Sequence, residues 1–212
     1  MKDFPFFTTK NGVASLTLKE IPYTKTAYIK IQDTLEPDKL LQECVEFCKM
    51  AGAEKIYGSN HPILERYPLH TKILQMTQYR ENLPDTDAAL FPVTEQTLDR
   101  WREIYNDRMN GVANFSYMSV WDSKEILRLG KGYFVHRGDT LLGIGIASGE
   151  IIECVIAVIT GAGEDVVLAL NHALSGEQAI LEVASTNEKA IRLYERMGFI
   201  KNCEISRWYQ LL

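Results

Sequence analysis

The chain has 212 residues, of which 46% are hydrophobic and 24% charged, and its formal net charge is -5 at pH 7. This composition is typical of a globular protein with one large domain or two units of ~100 residues. An acidic chain lacks the clustered Lys and Arg of a surface that coats nucleic acid. Its apolar runs are far shorter than the ~20 residues of a membrane span, and its start, "MKDFPFFTTKNG", lacks a signal-peptide core. We therefore expect a soluble, cytoplasmic protein that binds neither nucleic acid nor membrane.

The four cysteines are too few for a disulfide framework. Cys44 and Cys48 share one face of a predicted helix, "LLQECVEFCKM", which supplies at most half of a metal site. Leu41 and Val45 lie on the same face, so buried core cysteines are the favoured interpretation. The sequence predicts no metal site.

Residues 1–85 predict a small α/β unit. "VASLTLKE" and "TAYIKIQ" are typical of strands, and a helix from about Asp38 to Ala51 ends before Gly52. "EKIYGSNHP" and "TKILQMTQYR" predict two further strands, which gives the order β-β-α-β-β. The polar segment "ENLPDTDAA" predicts a boundary near residues 81–88. We therefore expect two domains, at 1–85 and 86–212.

The second domain begins with two predicted helices and an antiparallel meander. Thr94 is the expected N-cap of the first helix, and Asp122 or Ser123 that of the second. The strands "GYFVHRG", "TLLGIGIAS" and "EIIECVIAVIT" follow, with turn-like pairs between them. The spacing of the apolar residues then changes. The segment "GAGEDVVLALNHAL" has helical spacing and predicts a helix, and "AILEVA" predicts a buried strand. A strand, a glycine turn, a helix and a strand form a crossover, whose two strands should be parallel.

The last predicted helix is the segment "STNEKAIRLYERMGF". Ser185 and Glu188 have the spacing of a capping box, and Gly198 suits a left-handed C-terminal stop. Four residues share the inner face of this helix at spacings of i, i+3, i+4 and i+7: Ala190, Leu193, Tyr194 and Met197. On this pattern alone, Tyr194 is a core tyrosine whose hydroxyl reaches the edge of the layer.

The order of these elements and the last helix resemble the GNAT superfamily of N-acetyltransferases, in which that helix carries a similar "N…A…LYE…GF" signature. The matching residues are Asn187, Ala190, Leu193, Tyr194, Glu195, Gly198 and Phe199. The resemblance implies an α/β (α+β) fold, with a mixed, mostly antiparallel twisted sheet flanked by helices. The strand, helix, strand and short "SNHPILERY" segment of the N-terminal unit repeat this outline. That unit is therefore either a degenerate GNAT half or a plain α/β extension that shapes the substrate cleft.

The resemblance also implies where acetyl-CoA would bind. Two central strands would splay apart, with the pantetheine beside "CVIAVIT" and the pyrophosphate at the amides that begin the next helix. Tyr194 would protonate the departing thiolate of CoA. The expected cofactor-binding residues are Ile156, Val158, Ile159, Gly161, Ala162, Gly163, Glu164, Asp165, Asn187, Ala190 and Tyr194.

The loop at the start of that helix departs from the family pattern. The GNAT loop usually begins with Arg or Gln, whereas "ITGAGED" is shorter and has neither. Glu164 and Asp165 also place two acids in the first turn, where they stabilise a helix that has no ligand. Side chains that point outward would still leave the amides to bind phosphate.

A base is needed to take a proton from the attacking amine. Glu153 is the first candidate, because a lone carboxylate in a buried strand costs several kcal/mol unless it is paired or solvated. A Glu on the wet side of the strand explains the same residue. His136 at the end of "YFVH" is the second candidate, although a lone His at a strand end is more often a surface residue.

The predicted function is therefore direct transfer of an acetyl group from acetyl-CoA to a primary amine. The acceptor would be a small molecule or a peptide, and the protein a monomer or a homodimer. The alternative is a CoA-binding or interaction module that keeps the fold without turnover. A dinucleotide-binding turn at "GAG", with Glu182 as the ribose ligand, is disfavoured because Val166 replaces the third glycine.

Overall fold

The computed structural model describes residues 6–212. Within them the strands are β1 (Phe6–Thr9), β2 (Gly12–Thr17), β3 (Thr26–Thr34), β4 (Lys55–Ser59), β5 (Leu69–Tyr79), β6 (Ala89–Pro92), β7 (Gly132–Arg137), β8 (Thr140–Ser148), β9 (Ile151–Ala157), β10 (Gln178–Ala184) and β11 (Ile200–Gln210). The helices are α1 (Ile21–Thr24), α2 (Pro37–Met50), α3 (Leu98–Met109), α4 (Val120–Arg128), α5 (Gly163–Asn171) and α6 (Glu188–Arg196). Among these helices none is long and apolar enough to cross a membrane.

The contacts between residues divide the chain into two units. Unit 1 comprises the described residues up to Ile73 together with Glu204–Leu212, and unit 2 is Leu74–Cys203. Strands β5 and β11 therefore contribute residues to both units. The proposed domains at 1–85 and 86–212 stay a prediction.

Unit 1 has the strand order β1-β2-β3-β4-β11-β5. β2 and β3 are antiparallel, and α2 then crosses over to β4, which pairs in parallel with β3 from Thr26↔Lys55 to Lys30↔Ser59. The apolar face of α2 covers one side of the sheet, because its buried residues recur at helical spacing. Cys44 and Cys48 belong to this core and are fully buried, as predicted.

Unit 2 has the strand order β11-β5-β10-β9-β8-β7-β6. β7, β8 and β9 form the predicted antiparallel meander, and β6, which the sequence did not predict, pairs antiparallel with β7. β10 pairs in parallel with β9 after the α5 crossover. Helix α5 packs against one side of this sheet, around Val166, Val167 and Leu170, and α3 and α4 pack against residues of a second core that includes Ile144 and Ile156.

Two glycines let α5 lie close to β8. A Cβ added to Gly143 would lie 2.6 Å from Cγ2 of Val166 and would also meet the carbonyl oxygen of Ile156. A Cβ added to Gly145 would meet the side chain of Leu170. Neither position has room for a side chain, so the "GIG" of β8 is a packing requirement.

The predicted helix caps were wrong by a few residues. Asn187, not Ser185, caps α6, because its Oδ1 accepts from the Ala190 amide at 3.2 Å. A turn in which the Asn187 amide donates to the carbonyl oxygen of Ala184 precedes the helix. Ser185 is therefore used in the turn, and the helix starts later than the capping-box spacing suggested.

The two other caps also shift. Ser119 caps α4 by accepting from the Asp122 amide at 3.1 Å, in place of Asp122 or Ser123. Helix α3 begins at Leu98 after Thr97, whose hydroxyl contacts that of Thr94 at 3.1 Å and makes no capping hydrogen bond.

Candidate active site

A gap opens between β9 and β10, the two parallel strands of unit 2. They pair only at Ile151↔Ile180 and Ile152↔Leu181, although β9 continues to Ala157 and β10 to Ala184. Beyond these pairs, the backbone N–H and C=O groups on the facing edges have no strand partner in the described part of the chain, so they need solvent or a ligand. This is a site where an extended molecule with amide groups can bind between the strands.

A β-bulge at Glu153 lies where the pairing ends. The register between β8 and β9 changes from Ile146↔Cys154 to Ala147↔Ile152, which leaves Glu153 as the extra residue. A bulge bends the strand that contains it and increases its twist. The bulge therefore gives a local reason for β9 to turn away from β10.

Tyr194 of α6 lies next to this gap. Its side chain is buried, its ring centroid lies 5.8 Å from that of Phe199, and it interacts electrostatically with Cys154 of β9. Burial, and to a lesser degree Cys154, raise the pKa of Tyr194 well above its usual value. Its phenol is thus neutral at physiological pH and able to donate a hydrogen bond.

The Tyr194 hydroxyl does not stabilise the fold through a hydrogen bond to the described residues. Among residues 6–212, no group forms a hydrogen bond with it, and it is not counted among the fully buried polar atoms. Tyr194 as a whole is 7% exposed. Its assignment as the catalytic acid stays a prediction.

Glu153 is exposed, so its carboxylate has no cost of burial to offset. Both of its oxygens accept from Nζ of Lys131, at 2.7 and 2.9 Å. Glu153 shares its face of β9 with the exposed Ile151 and alternates with the buried Ile152 and Cys154, which is the solvent-facing alternative that the sequence left open. Its role as a base stays a prediction, and that role requires Lys131 to release one oxygen.

The second candidate base, His136, lies among aromatic rings. Its ring centroid is 5.3 Å from that of Phe91 and 6.5 Å from that of Phe134, in edge-to-face arrangements. These contacts account for the residue as part of the packing of β6 and β7.

The loop between β9 and α5 presents unpaired backbone amides. Among the described residues, the amides of Gly161, Gly163, Glu164 and Asp165 donate to no other group, because they precede or begin the helix. Gly161 has a φ of +92°, and nothing lies within 4 Å of a Cβ added there. This loop therefore has the open backbone and the positive helix end that bind phosphate.

The two acids at the start of α5 differ in their environment. Asp165 turns toward β7, where its Oδ1 lies 2.7 Å from Nη2 of Arg137, and Nε of the same guanidinium lies 2.7 Å from Asp87. Glu164 is exposed. The charge of Asp165 is thus compensated by Arg137, a residue that the sequence did not single out.

Helix α6 approaches the loop directly. A Cβ added to Gly163 would lie 2.9 Å from Cδ2 of Leu193, so the glycine permits close contact between α5 and α6. Asn187 and Ala190, predicted to bind the cofactor, are joined by the capping hydrogen bond at the start of α6. The amide Nδ2 of Asn187 makes no hydrogen bond within residues 6–212 and is free to donate.

The predicted pantetheine residues follow one another along β9 and the turn after it. Ile156 is buried, Val158 is partly buried and Ile159 is 42% exposed. Ala162 is buried under the first turn of α5. The carbonyl oxygen of Val158 accepts from Nη2 of Arg108 at 3.1 Å, which brings a cation from α3 to the start of the loop.

The corresponding region of unit 1 is closed. Every residue of β4, from Lys55 to Ser59, is paired with β3, so that crossover has no gap. Helix α2 begins with Pro37 and Asp38, and no glycine loop precedes it. In the described part of the chain, no three His, Cys, Asp or Glu side chains are grouped as a metal site.

No family model and no curated protein matches this sequence. Solved structures do resemble it. A functionally unknown protein from Staphylococcus epidermidis has a TM-score of 0.62 at 13% identity, over 99% of this chain and 94% of that one. A GCN5-related N-acetyltransferase from Kribbella flavida has a TM-score of 0.55 at 11% identity, over 97% and 88%. A tandem GNAT protein from the clavulanic acid biosynthesis pathway has a TM-score of 0.55 at 12% identity, over 94% and 78%.

At 11–13% sequence identity, these similarities show a shared fold and nothing more. The chain has the mixed α/β fold of GNAT acetyltransferases, with a curled sheet flanked by helices. This confirms the fold class that the sequence predicted.

Proposed function

We propose that the protein transfers an acetyl group from acetyl-CoA to a primary amine. The gap between β9 and β10 is the main support for this proposal, because the loop with the free amides follows β9 directly and Tyr194 lies near Cys154 of β9. The GNAT fold of the structural neighbours supports the same reaction class. Bound there, acetyl-CoA would supply an activated thioester.

The backbone of this chain would do most of the binding. The amides of Gly161, Gly163, Glu164 and Asp165 would bind phosphate oxygens, which the positive end of α5 favours. The unpaired edges of β9 and β10 would pair with the amides of an extended ligand, as an added strand does. Asn187 would contribute its free Nδ2 donor at the start of α6.

Two side chains would handle protons. Tyr194, neutral and buried, would donate a hydrogen bond where negative charge develops on a sulfur leaving group. Glu153 stands at the bulge where the gap begins, and we propose it as the base for the amine, with Lys131 holding the carboxylate until then. Direct transfer needs no covalent step on the protein, and it requires both substrates to be bound together.

For unit 1 we propose a degenerate GNAT half. Its strand, crossover helix and parallel strand repeat the outline of β9, α5 and β10. A 3₁₀ turn at Pro62–Arg66 replaces the helix that bears the tyrosine, and the crossover has no gap. Such a unit would keep the fold and bind no cofactor.

The test measures binding and turnover separately. Acetyl-CoA at about 100 times its Kd should stabilise the protein by about 2.7 kcal/mol, seen as a rise in Tm, while NAD at the same concentration should not. A panel of amino acids, polyamines and peptides with free N-termini should then include an acceptor that releases CoA. No stabilisation by millimolar acetyl-CoA would contradict the proposal. Stabilisation without CoA release from any amine would favour a binding module.

A further inference from the structure

The phosphate-binding loop needs a positive charge that its own residues do not supply. "ITGAGED" has no basic residue and carries two carboxylates. Arg137 compensates Asp165 but is already shared with Asp87. Backbone amides alone would therefore face a pyrophosphate with two negative charges.

Arg108 stands beside this loop. It lies in the last turn of α3, and its Nη2 donates to the carbonyl oxygen of Val158 at 3.1 Å. Val158 immediately precedes the turn in which the Ala162 amide donates to the carbonyl oxygen of Ile159. The contact thus fixes a guanidinium at the residue before the turn that leads into the free amides.

Within residues 6–212, most of the hydrogen-bonding capacity of Arg108 is unused. A guanidinium has five N–H donors, and one of them is used on Val158. The remaining ionic contact is with the adjacent Asp107, whose Oδ2 lies 3.7 Å from Nε. The side chain of Asp107 is 80% exposed, so solvent screens this pair strongly. The other guanidinium donors remain available to an anion.

We propose that Arg108 supplies the charge of the phosphate subsite: it binds the pyrophosphate of the CoA donor across the amides of Gly161 and Gly163. This rests on the proposed function. A planar guanidinium matches phosphate oxygens in pairs, and its bond to Val158 orients it beforehand. The cation that the loop lacks is thus contributed by a different helix.

The alternative role for Arg108 is structural: its hydrogen bond to Val158 would hold the end of α3 against the end of β9. The two roles differ in which ligands they affect. A phosphate contact concerns acetyl-CoA and not S-acetylpantetheine, which has the same thioester arm without the pyrophosphate and nucleotide. A structural tie would affect both ligands and the Tm of the free protein.

The experiment is calorimetric titration of the full chain with acetyl-CoA and with S-acetylpantetheine, at two salt concentrations. Arg108→Gln should weaken acetyl-CoA about tenfold or more, reduce the salt dependence of its Kd and leave S-acetylpantetheine unchanged. Arg108→Lys, which keeps the charge but not the paired donors, should restore only part of the affinity. The control is Arg100→Gln on the same helix, where Arg100 pairs with Glu103 at 3.4 Å and should have no effect on either ligand.

Three results would overturn the proposal. Arg108→Gln could bind acetyl-CoA as the native protein does, or it could lose both ligands equally. The native protein could also bind S-acetylpantetheine as tightly as acetyl-CoA, which would deny a phosphate subsite and leave acetyl transfer intact. Binding of neither ligand by the native protein would overturn this inference together with the proposed function.

Discussion

Ile152 of β9 and Leu181 of β10 are the last paired residues of the parallel ladder in unit 2. In unit 1 the equivalent ladder extends over the whole of β4, to Ser59. The same sequence of strand, helix and strand therefore produces an open edge in one unit and a closed one in the other. The bulge at Glu153 is the local feature that accompanies the open edge.

Replacing Tyr194 with Phe should lower acetyl transfer by about 10²-fold or more, the contribution typical of a positioned acid. The ring keeps its packing against Phe199, and the hydroxyl has no partner among the described residues, so Tm should change little. The measurement is the initial rate of CoA release together with a melting curve. The control is Tyr209→Phe, a buried tyrosine of unit 1. An unchanged rate in Tyr194→Phe would show that this residue serves packing alone.

Glu153→Gln should reduce turnover by about 10²-fold and leave the Kd for acetyl-CoA unchanged, since the carboxylate would act on the amine and not on the thioester. The Lys131 pair is partly exposed, so its loss should cost less than about 1 kcal/mol of stability. Single-turnover rates across pH 6–9 provide the measurement. Lys131→Gln is the matched control for loss of the ion pair. Equal rates for Glu153→Gln and the native protein would exclude this base.

The sequence predicted most elements of this fold because apolar residues recur at 3.6 or 2 positions in them. It did not predict the short elements β1, α1 and β6 or the last strand β11. It did not predict that residues 74–79 of β5 lie between β10 and β11, because strand order depends on contacts distant in the chain. The sequence left open whether Glu153 faces the core or solvent, because a lone Glu among apolar residues fits either face, and the regular alternation of burial along β9 places it on the solvent side. Arg108 was missed because a charged residue near a helix end has no periodic signal.

Arg137→Gln should weaken acetyl-CoA binding several-fold, because it leaves the charge of Asp165 uncompensated beside the phosphate amides. Adding Asp165→Asn should recover most of that loss. Titration calorimetry of the single and double variants gives the coupling between the two sites. Additive effects, with no recovery in the double variant, would show that the pair does not act on the phosphate.

The cysteines should separate into one reactive thiol and three protected ones. Burial raises the pKa of Cys44 and of Cys154 to about 12 and that of Cys48 to about 11, whereas Cys203 is exposed. Because thiolates are the reactive form, a disulfide reagent at pH 8 should modify about one thiol in the native protein and all four in urea. Cys203→Ser should abolish the native reaction, and rapid modification of that variant would contradict the burial.

The same thiols give stability a pH dependence. The unfolded chain releases their protons from about pH 8.5, whereas the folded chain holds them until pH approaches 11 to 12. Stability from this source should therefore be complete below pH 8.5 and decline between pH 8.5 and 11, because the unfolded state then binds fewer protons. Urea unfolding at pH 7, 9 and 10 measures this decline in the free energy of unfolding. In Cys154→Ala the free energy of unfolding should decline less steeply with pH than in the native protein. An equally steep decline would show that Cys154 does not contribute to the pH dependence.

Gly143→Ala should destabilise the protein by about 1–3 kcal/mol, the usual cost of overpacking a core. The new methyl would meet the backbone carbonyl oxygen of Ile156 and the side chain of Val166, and the carbonyl cannot move without shifting β9. Acetyl-CoA binding should weaken as well, since β9 forms one edge of the gap. Ser148→Ala, at the exposed end of the same strand, should change stability by less than about 0.5 kcal/mol. If Gly143→Ala is as stable as the native protein and binds acetyl-CoA equally well, β8 and α5 have room between them for a methyl group.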